Sequence, residues 1–223
     1  GDTLFEIENV TGSSFDDTLI GDDFSNALAG NAGDDQISGG IGADILDGGS
    51  GIDLATYAGS TAGVSVNLAL GLGAGGDAHG DRLLGIENVD GSLFGDTLTG
   101  NAVSNVLSGG IGDDSLEGGI GSDTLVGGEG NDIASYGGSQ VGVSINLTTG
   151  QTFGGDADGD VFNGIENLSG SDFDDTLTGD DIANQLFGQS GDDELSGASG
   201  DDTLYGGTGA DTLEGGAGSD TFD

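Results

Sequence analysis

Asp35 and Asp53 stand 18 residues apart, as do Asp114 and Asp132, Asp193 and Asp211, and Asp202 and Asp220. Asp44 and Asp123 lie at the midpoints of the first two pairs, and glycine-rich stretches precede every one of these acids. Carboxylates and backbone carbonyls are hard oxygen donors. Ca²⁺ accepts six to eight of them in flexible geometry, whereas Mg²⁺ dehydrates reluctantly and demands a tighter octahedron. The chain has no Cys and one His, which excludes thiolate zinc sites, iron–sulfur clusters and disulfides. One Lys or Arg against 41 Asp and Glu cannot neutralise a phosphate backbone, so nucleic acid is excluded as a partner. No apolar run approaches the roughly 20 residues of a membrane span. A net charge of −40 with few aromatics is the composition of a disordered chain unless cations neutralise it.

Those acids are placed by a repeat within a repeat. Ile7-Glu8-Asn9-Val10 returns as Ile86-Glu87-Asn88-Val89 and as Ile165-Glu166-Asn167-Leu168, a spacing of 79 residues. Gly1-Asp2 matches Gly80-Asp81, so both ends are expected to fall in mid-repeat. The missing initiator Met and signal segment fit a mature piece or internal segment of a longer protein. The chain divides into the end of a truncated repeat (1–11), nonapeptide blocks at 12–56, 91–135 and 170–223, and inter-block segments at 57–90 and 136–169. In all sixteen nonapeptides the eighth residue is apolar, and in twelve it is Leu. The sixth is Asp in thirteen and Asn in three (Asn26, Asn105, Asn184), and ten units carry Gly at the fourth position.

Six residues of Gly, Asp and small polar types make a tight turn. The remaining polar–apolar–polar triplet has the period of a strand and sends only its eighth residue inward. Two units make an 18-residue coil. Stacked coils build two parallel sheets around a thin core, and eight coils at ~4.8 Å reach roughly 38 Å. Columns of carboxylates about 5 Å apart repel one another unless a cation lies among them.

GGIGADILD (Gly39–Asp47), GGIGDDSLE (Gly109–Glu117) and GGTGADTLE (Gly206–Glu214) resemble the calcium-binding nonapeptide of the repeats-in-toxin (RTX) family. That resemblance implies an all-β fold, a right-handed parallel β-roll (β-solenoid), with several Ca²⁺ ions held between turn n and turn n+2. The lower turn lends the carbonyls of its second and fourth residues and its Asp. The upper turn lends the carbonyls of its first and third residues and its Asp. Carried onto this chain, one site joins Asn31, Gly33 and Asp35 to Gly48, Ser50 and Asp53, and a second joins Gly110, Gly112 and Asp114 to Gly127, Glu129 and Asp132. A third joins Gln189, Gly191 and Asp193 to Gly206, Thr208 and Asp211, and a fourth joins Ala198, Gly200 and Asp202 to Gly215, Ala217 and Asp220. Asp44 and Asp123 complete the main ligand set. Asp17, Asp96 and Asp175 are weaker candidates, because the first two units of each block carry Phe15, Phe24, Phe94, Val103, Phe173 or Ile182 in place of the fourth-position Gly. These apolar residues are expected to plug the end of the core.

In the inter-block segments Val64, Val66 and Leu68, and Val143, Ile145 and Leu147, alternate as half-buried strands, and Ile86 and Val89 continue the roll. GGDAHGD (Gly75–Asp81) and GGDADGD (Gly154–Asp160) resemble oxygen-ligand loops, giving an extra Ca²⁺ site at Asp77 and Asp81 and another at Asp156 and Asp160. His79 becomes Asp158 in the next copy and Arg82 becomes Val161, so neither has a repeated role. Adjacent acids such as Asp34 and Asp35 belong to the turn pattern, and no nucleophile turn or phosphate loop is present; the segment is expected not to be an enzyme. The resemblance implies a bacterial protein exported unfolded by a type I secretion channel, folding on calcium outside the cell or at its surface. The expected role is a rod, fibre, adhesin or surface layer that self-associates or attaches to a cell surface. The alternative is the calcium-dependent C-terminal module of a secreted enzyme such as a serralysin-like protease, lipase or alginate epimerase.

Overall fold

The computed structural model describes residues 7–223, so the match of Gly1-Asp2 to Gly80-Asp81 and the opening of the truncated repeat lie outside the described residues. Each nonapeptide folds as a turn followed by a short strand. The strand lengthens to six residues where the next turn also pairs, as in Ala27–Ala32, Ile45–Ser50, Val106–Ile111 and Thr124–Glu129. Within each strand triplet the eighth residue is the one turned inward, since alternate side chains on a strand point to opposite sides. Leu28, Ile37, Leu46, Leu98, Leu107, Leu116 and Leu125 thus form a single file of buried side chains between two faces.

Successive strands alternate between those faces, and each pairs in parallel with the strand one coil on: Leu19 with Ile37, Leu28 with Leu46, Leu98 with Leu116, Leu107 with Leu125. Among the described residues the strands form sheets of thirteen, seven and five. Thirteen strands at ~4.8 Å stack to about 58 Å, longer than the nonapeptides alone require.

The inter-block segments make up the difference, and there antiparallel pairs interrupt the parallel ladder. From Leu54–Thr56 the chain runs ahead to Ser65–Asn67, which pairs with Thr97–Thr99 of the coming block. It returns through antiparallel Leu72–Ala74 to Arg82–Leu84, which pairs with Ile45–Ser50 of the block just left. Asn88–Asp90 then fills the other face between Leu54–Thr56 and Val106–Ile111. Val66, Leu83, Ile86 and Val89 are buried, so both segments continue the core as expected. The second insert repeats the device with Ser144–Asn146, Gln151–Phe153, Val161–Asn163 and Asn167–Ser169. Five nonapeptides and the two half-coils of an insert make an odd number. The first hairpin therefore lies in the thirteen-stranded sheet, and the second lies on the opposite face.

A correction concerns the apolar fourth-position residues. Phe15 is 76% exposed and Phe24 71%, and Phe94, Val103, Phe173 and Ile182 are exposed as well. They do not plug the core, because the fourth residue sits on the outside of its turn. A side chain two residues earlier accepts its N–H: Ser13 Oγ from Phe15 (3.2 Å), Ser92 Oγ from Phe94 (3.1 Å), Asp22 Oδ1 from Phe24 (2.9 Å) and Asn101 Oδ1 from Val103 (3.0 Å). These side-chain turns hold the backbone without help from the core.

Candidate metal centre

Turns of neighbouring coils are joined along each edge of the roll by one carboxylate oxygen. Asp35 N–H donates to Asp53 Oδ1 at 2.8 Å, Asp114 N–H to Asp132 Oδ1 at 2.8 Å, Asp193 N–H to Asp211 Oδ1 at 3.1 Å and Asp202 N–H to Asp220 Oδ1 at 3.2 Å. Each expected ligand pair is therefore brought onto adjacent coils of one edge. The second oxygen behaves differently. Among the described residues, Oδ2 of Asp35, Asp44, Asp53, Asp114, Asp123, Asp132, Asp193 and Asp202 is buried without any hydrogen-bond partner. A buried carboxylate oxygen with no donor costs ~1–3 kcal/mol or more, so a row of them calls for a counter-charge.

The surroundings supply oxygens rather than donors. A Cβ on Gly30 would collide with Asp35 Oδ2 and, at 2.7 Å, with the Gly48 carbonyl oxygen of the next coil. Gly188 lies in the same way against Asp193 Oδ2 and the Gly206 carbonyl (2.5 Å), and Gly197 against Asp202 Oδ2 and the Gly215 carbonyl (2.6 Å). A carboxylate oxygen of one turn and a first-position carbonyl of the next thus crowd the same spot, and this explains the glycine that opens each unit. The second residues are left-handed even where they are not glycine: Asn31 at φ 78°, Gln189 at 76° and Ala198 at 71°. Such backbone is sparsely populated by side-chain-bearing residues, and it persists here in turns of one shape.

Burial pushes Asp114 up to about 7, with the neighbouring carboxylates of Asp96, Asp132 and Asp113 adding to the rise. Burial also raises Asp44, Asp53, Asp123, Asp132, Asp193 and Asp202 above the usual carboxylate range. In each of them burial is the largest cause, and a neighbouring carboxylate adds to it.

Asp17, Asp96 and Asp175 are placed otherwise. Oδ2 of each accepts the N–H of the second residue of its own turn, from Ser13 (2.5 Å), Ser92 (2.5 Å) and Ser171 (2.6 Å). Asn26, Asn105 and Asn184 cap their own turns through Oδ1, accepting from Asp22, Asn101 and Asp180, each at 2.8 Å. The first two turns of each block are self-capped, whereas the later turns, those of Asp211 and Asp220 apart, hold a buried open oxygen. In the inserts, Asp81 accepts Asp44 N–H through Oδ1 (2.8 Å) and the Tyr57 hydroxyl through Oδ2 (3.0 Å). Asp160 accepts Asp123 N–H (2.8 Å) and the Tyr136 hydroxyl (2.7 Å).

Two participants were not singled out from the sequence. Glu87 Oε2 accepts Asp53 N–H and Glu166 Oε2 accepts Asp132 N–H, both at 2.9 Å, so the recurring Ile-Glu-Asn triplet carries the ladder across a shortened turn. Gly76–Leu84 is a disguised nonapeptide, with Asp81 sixth and buried Leu83 eighth. Its fourth residue is His79, and this hides it from a search for the glycine pattern.

Among the described residues no group of three or more acidic or imidazole side chains is arranged to hold a metal. An ion here needs backbone carbonyls beside two carboxylates, and the crowded oxygens fit a hard cation of high coordination number. Among the described residues no helix is long and apolar enough to cross a membrane. The family described as the RTX calcium-binding nonapeptide repeat matches the chain in four copies, at residues 20–55, 99–134, 160–195 and 187–222. No curated protein matches the chain.

Proposed function

The chain belongs to the RTX calcium-binding nonapeptide repeat family, and we propose that it is a non-catalytic, calcium-gated structural segment of a long secreted bacterial protein. The observation that carries this reading is the row of buried aspartates whose Oδ2 atoms lack any partner. The ligands would be Asn31, Gly33, Asp35 with Gly48, Ser50, Asp53; Gly110, Gly112, Asp114 with Gly127, Glu129, Asp132; Gln189, Gly191, Asp193 with Gly206, Thr208, Asp211; and Ala198, Gly200, Asp202 with Gly215, Ala217, Asp220. Bound Ca²⁺ supplies the positive charge that these oxygens lack.

In low calcium the acids repel and the single-file core is too thin to hold the coils together. In a millimolar-calcium medium, sites of about 10⁻⁴–10⁻³ M affinity fill, and binding free energy becomes folding free energy. Four ions offset about 8 charges at two per ion, so the filled roll stays acidic against a starting −40. Tandem 79-residue units, each a nonapeptide block with a core-forming insert, suit a stiff extracellular rod, fibre, adhesin or surface layer. No catalytic role is assigned to His79, which is exposed and stands where the next copy has Asp158. Replacing Asp114 and Asp132 together by Ala is expected to remove about one bound ion per chain in a calorimetric Ca²⁺ titration. Unchanged stoichiometry refutes the ligand assignment.

A further inference from the structure

The open oxygens of Asp44 and Asp123 are not explained by the four nonapeptide pairs. Asp44 is 1% exposed and Asp123 0%, and each has an unpartnered Oδ2. What stacks over each is an insert: Asp44 N–H donates to Asp81 Oδ1 and Arg82 N–H to the Asp44 carbonyl, both at 2.8 Å. The second copy repeats this with Asp123 N–H to Asp160 Oδ1 and Val161 N–H to the Asp123 carbonyl, also at 2.8 Å. The loop Gly75–Asp81 therefore occupies the place of the next turn above Gly39–Asp44.

Both oxygens of its sixth-position acid already have partners, because the Tyr57 hydroxyl donates to Asp81 Oδ2 and the Tyr136 hydroxyl to Asp160 Oδ2. The loop instead brings a second acid on a one-turn 3₁₀ helix, Asp77 in Gly76–Ala78 and Asp156 in Gly155–Ala157. Each is anchored by its own N–H on a serine hydroxyl, Ser60 Oγ at 3.1 Å and Ser139 Oγ at 3.2 Å. The turns beneath have the left-handed glycines of the nonapeptide cages, Gly40 at φ 85° and Gly119 at 87°. The same loop that stacks Asp81 on Asp44 carries Asp77 four residues earlier, and the loop that stacks Asp160 on Asp123 carries Asp156. No cationic side chain is common to the two copies: His79 and Arg82 are exposed, and Asp158 and Val161 replace them.

We propose that each insert closes a further Ca²⁺ site, with Asp44 and Asp77 as carboxylate ligands in the first and Asp123 and Asp156 in the second. This inference rests on the reading that the nonapeptide turns hold calcium. Carbonyls of the turn and loop complete the oxygen set. Asp81 and Asp160 are positioning residues, which tie the loop to the ladder while their tyrosines keep them out of the cage. The cation rows then run through the inserts instead of stopping at the end of each block.

The test is the full chain with Asp77→Asn and Asp156→Asn, which keeps the serine anchors, titrated with Ca²⁺ alone by calorimetry. The expected result is two ions fewer than the parent chain with the nonapeptide ions retained. A parent chain that binds no ion fails the family reading itself, and an undiminished count in the variant overturns only the inserts. The second readout is Tb³⁺ emission excited through tyrosine in a Tyr205→Phe background, where the donors are Tyr57 and Tyr136. Emission there that falls several-fold on adding Asp77→Asn and Asp156→Asn supports the sites. Its absence in the Tyr205→Phe chain overturns them even if the double variant does not fold.

Discussion

The sign of the pH dependence should reverse between the calcium-free and calcium-bound chain. Take the calcium-free chain first, with pH lowered from 7.5 to 5. Burial holds Asp114 at about 7 and Asp81 and Asp160 at about 6 in the folded roll. All three return to the ordinary value of 3.8 on unfolding. Because the folded values are the higher ones, the folded state binds more protons between pH 4 and 7, and its stability rises as pH falls through that window. At pH 5 each of the three takes up nearly one proton on folding, worth together ~4 kcal/mol per pH unit before solvent screening reduces it. The other raised aspartates push in the same direction. With calcium the same protons compete for ligand oxygens, so affinity and stability fall as pH falls. Circular dichroism at stepped pH in chelator, and calorimetric affinity at the same pH values, reads both arms. A calcium-free chain with no more β-structure at pH 5 than at 7.5 refutes the reasoning. So does a calcium affinity that does not weaken with acid.

Two substitutions probe the core and the turns separately, both in saturating Ca²⁺. Leu116→Ala removes a fully buried side chain from a core one residue thick, and should cost about 2–5 kcal/mol by chemical denaturation; a loss under ~1 kcal/mol would show that the file of leucines is not the core. Ala198→Gly relieves a left-handed alanine at φ 71° and should raise stability by about 1 kcal/mol; a loss of similar size would show that the methyl group is needed there.

The nine-residue period was legible because one inward side chain per strand and one ladder acid per turn recur in every coil. Leu28, Leu46, Asp35 and Asp53 stand where the spacing puts them. The division into self-capped and open turns was only half legible. The change from Gly33 to Phe15 marks the altered turn, but the choice of Asp17 to cap its own Ser13 depends on a backbone shape that the fourth residue merely permits. Hydrophobicity alone points Phe15 and Phe24 inward, whereas a serine or aspartate two residues before each is the signature of a side-chain turn. The inserts hid their kinship with the nonapeptides because His79 and Asp158 interrupt the glycine pattern, while Asp81, Leu83 and Asp160 keep their places. Glu87 gave no signal of its own. Its longer side chain does an aspartate's work only because the turn before it is shorter, and that length is a property of the stack.

The most direct test is the size and secondary structure of the chain with and without calcium. In chelator at neutral pH, small-angle scattering should give a radius of gyration of about 50 Å with a disordered dichroism spectrum. Millimolar Ca²⁺ should reduce the radius to about 20 Å with a β-rich spectrum, and equal Mg²⁺ should not. A chain already compact and β-rich in chelator, or one that Mg²⁺ folds equally well, would contradict calcium-gated folding.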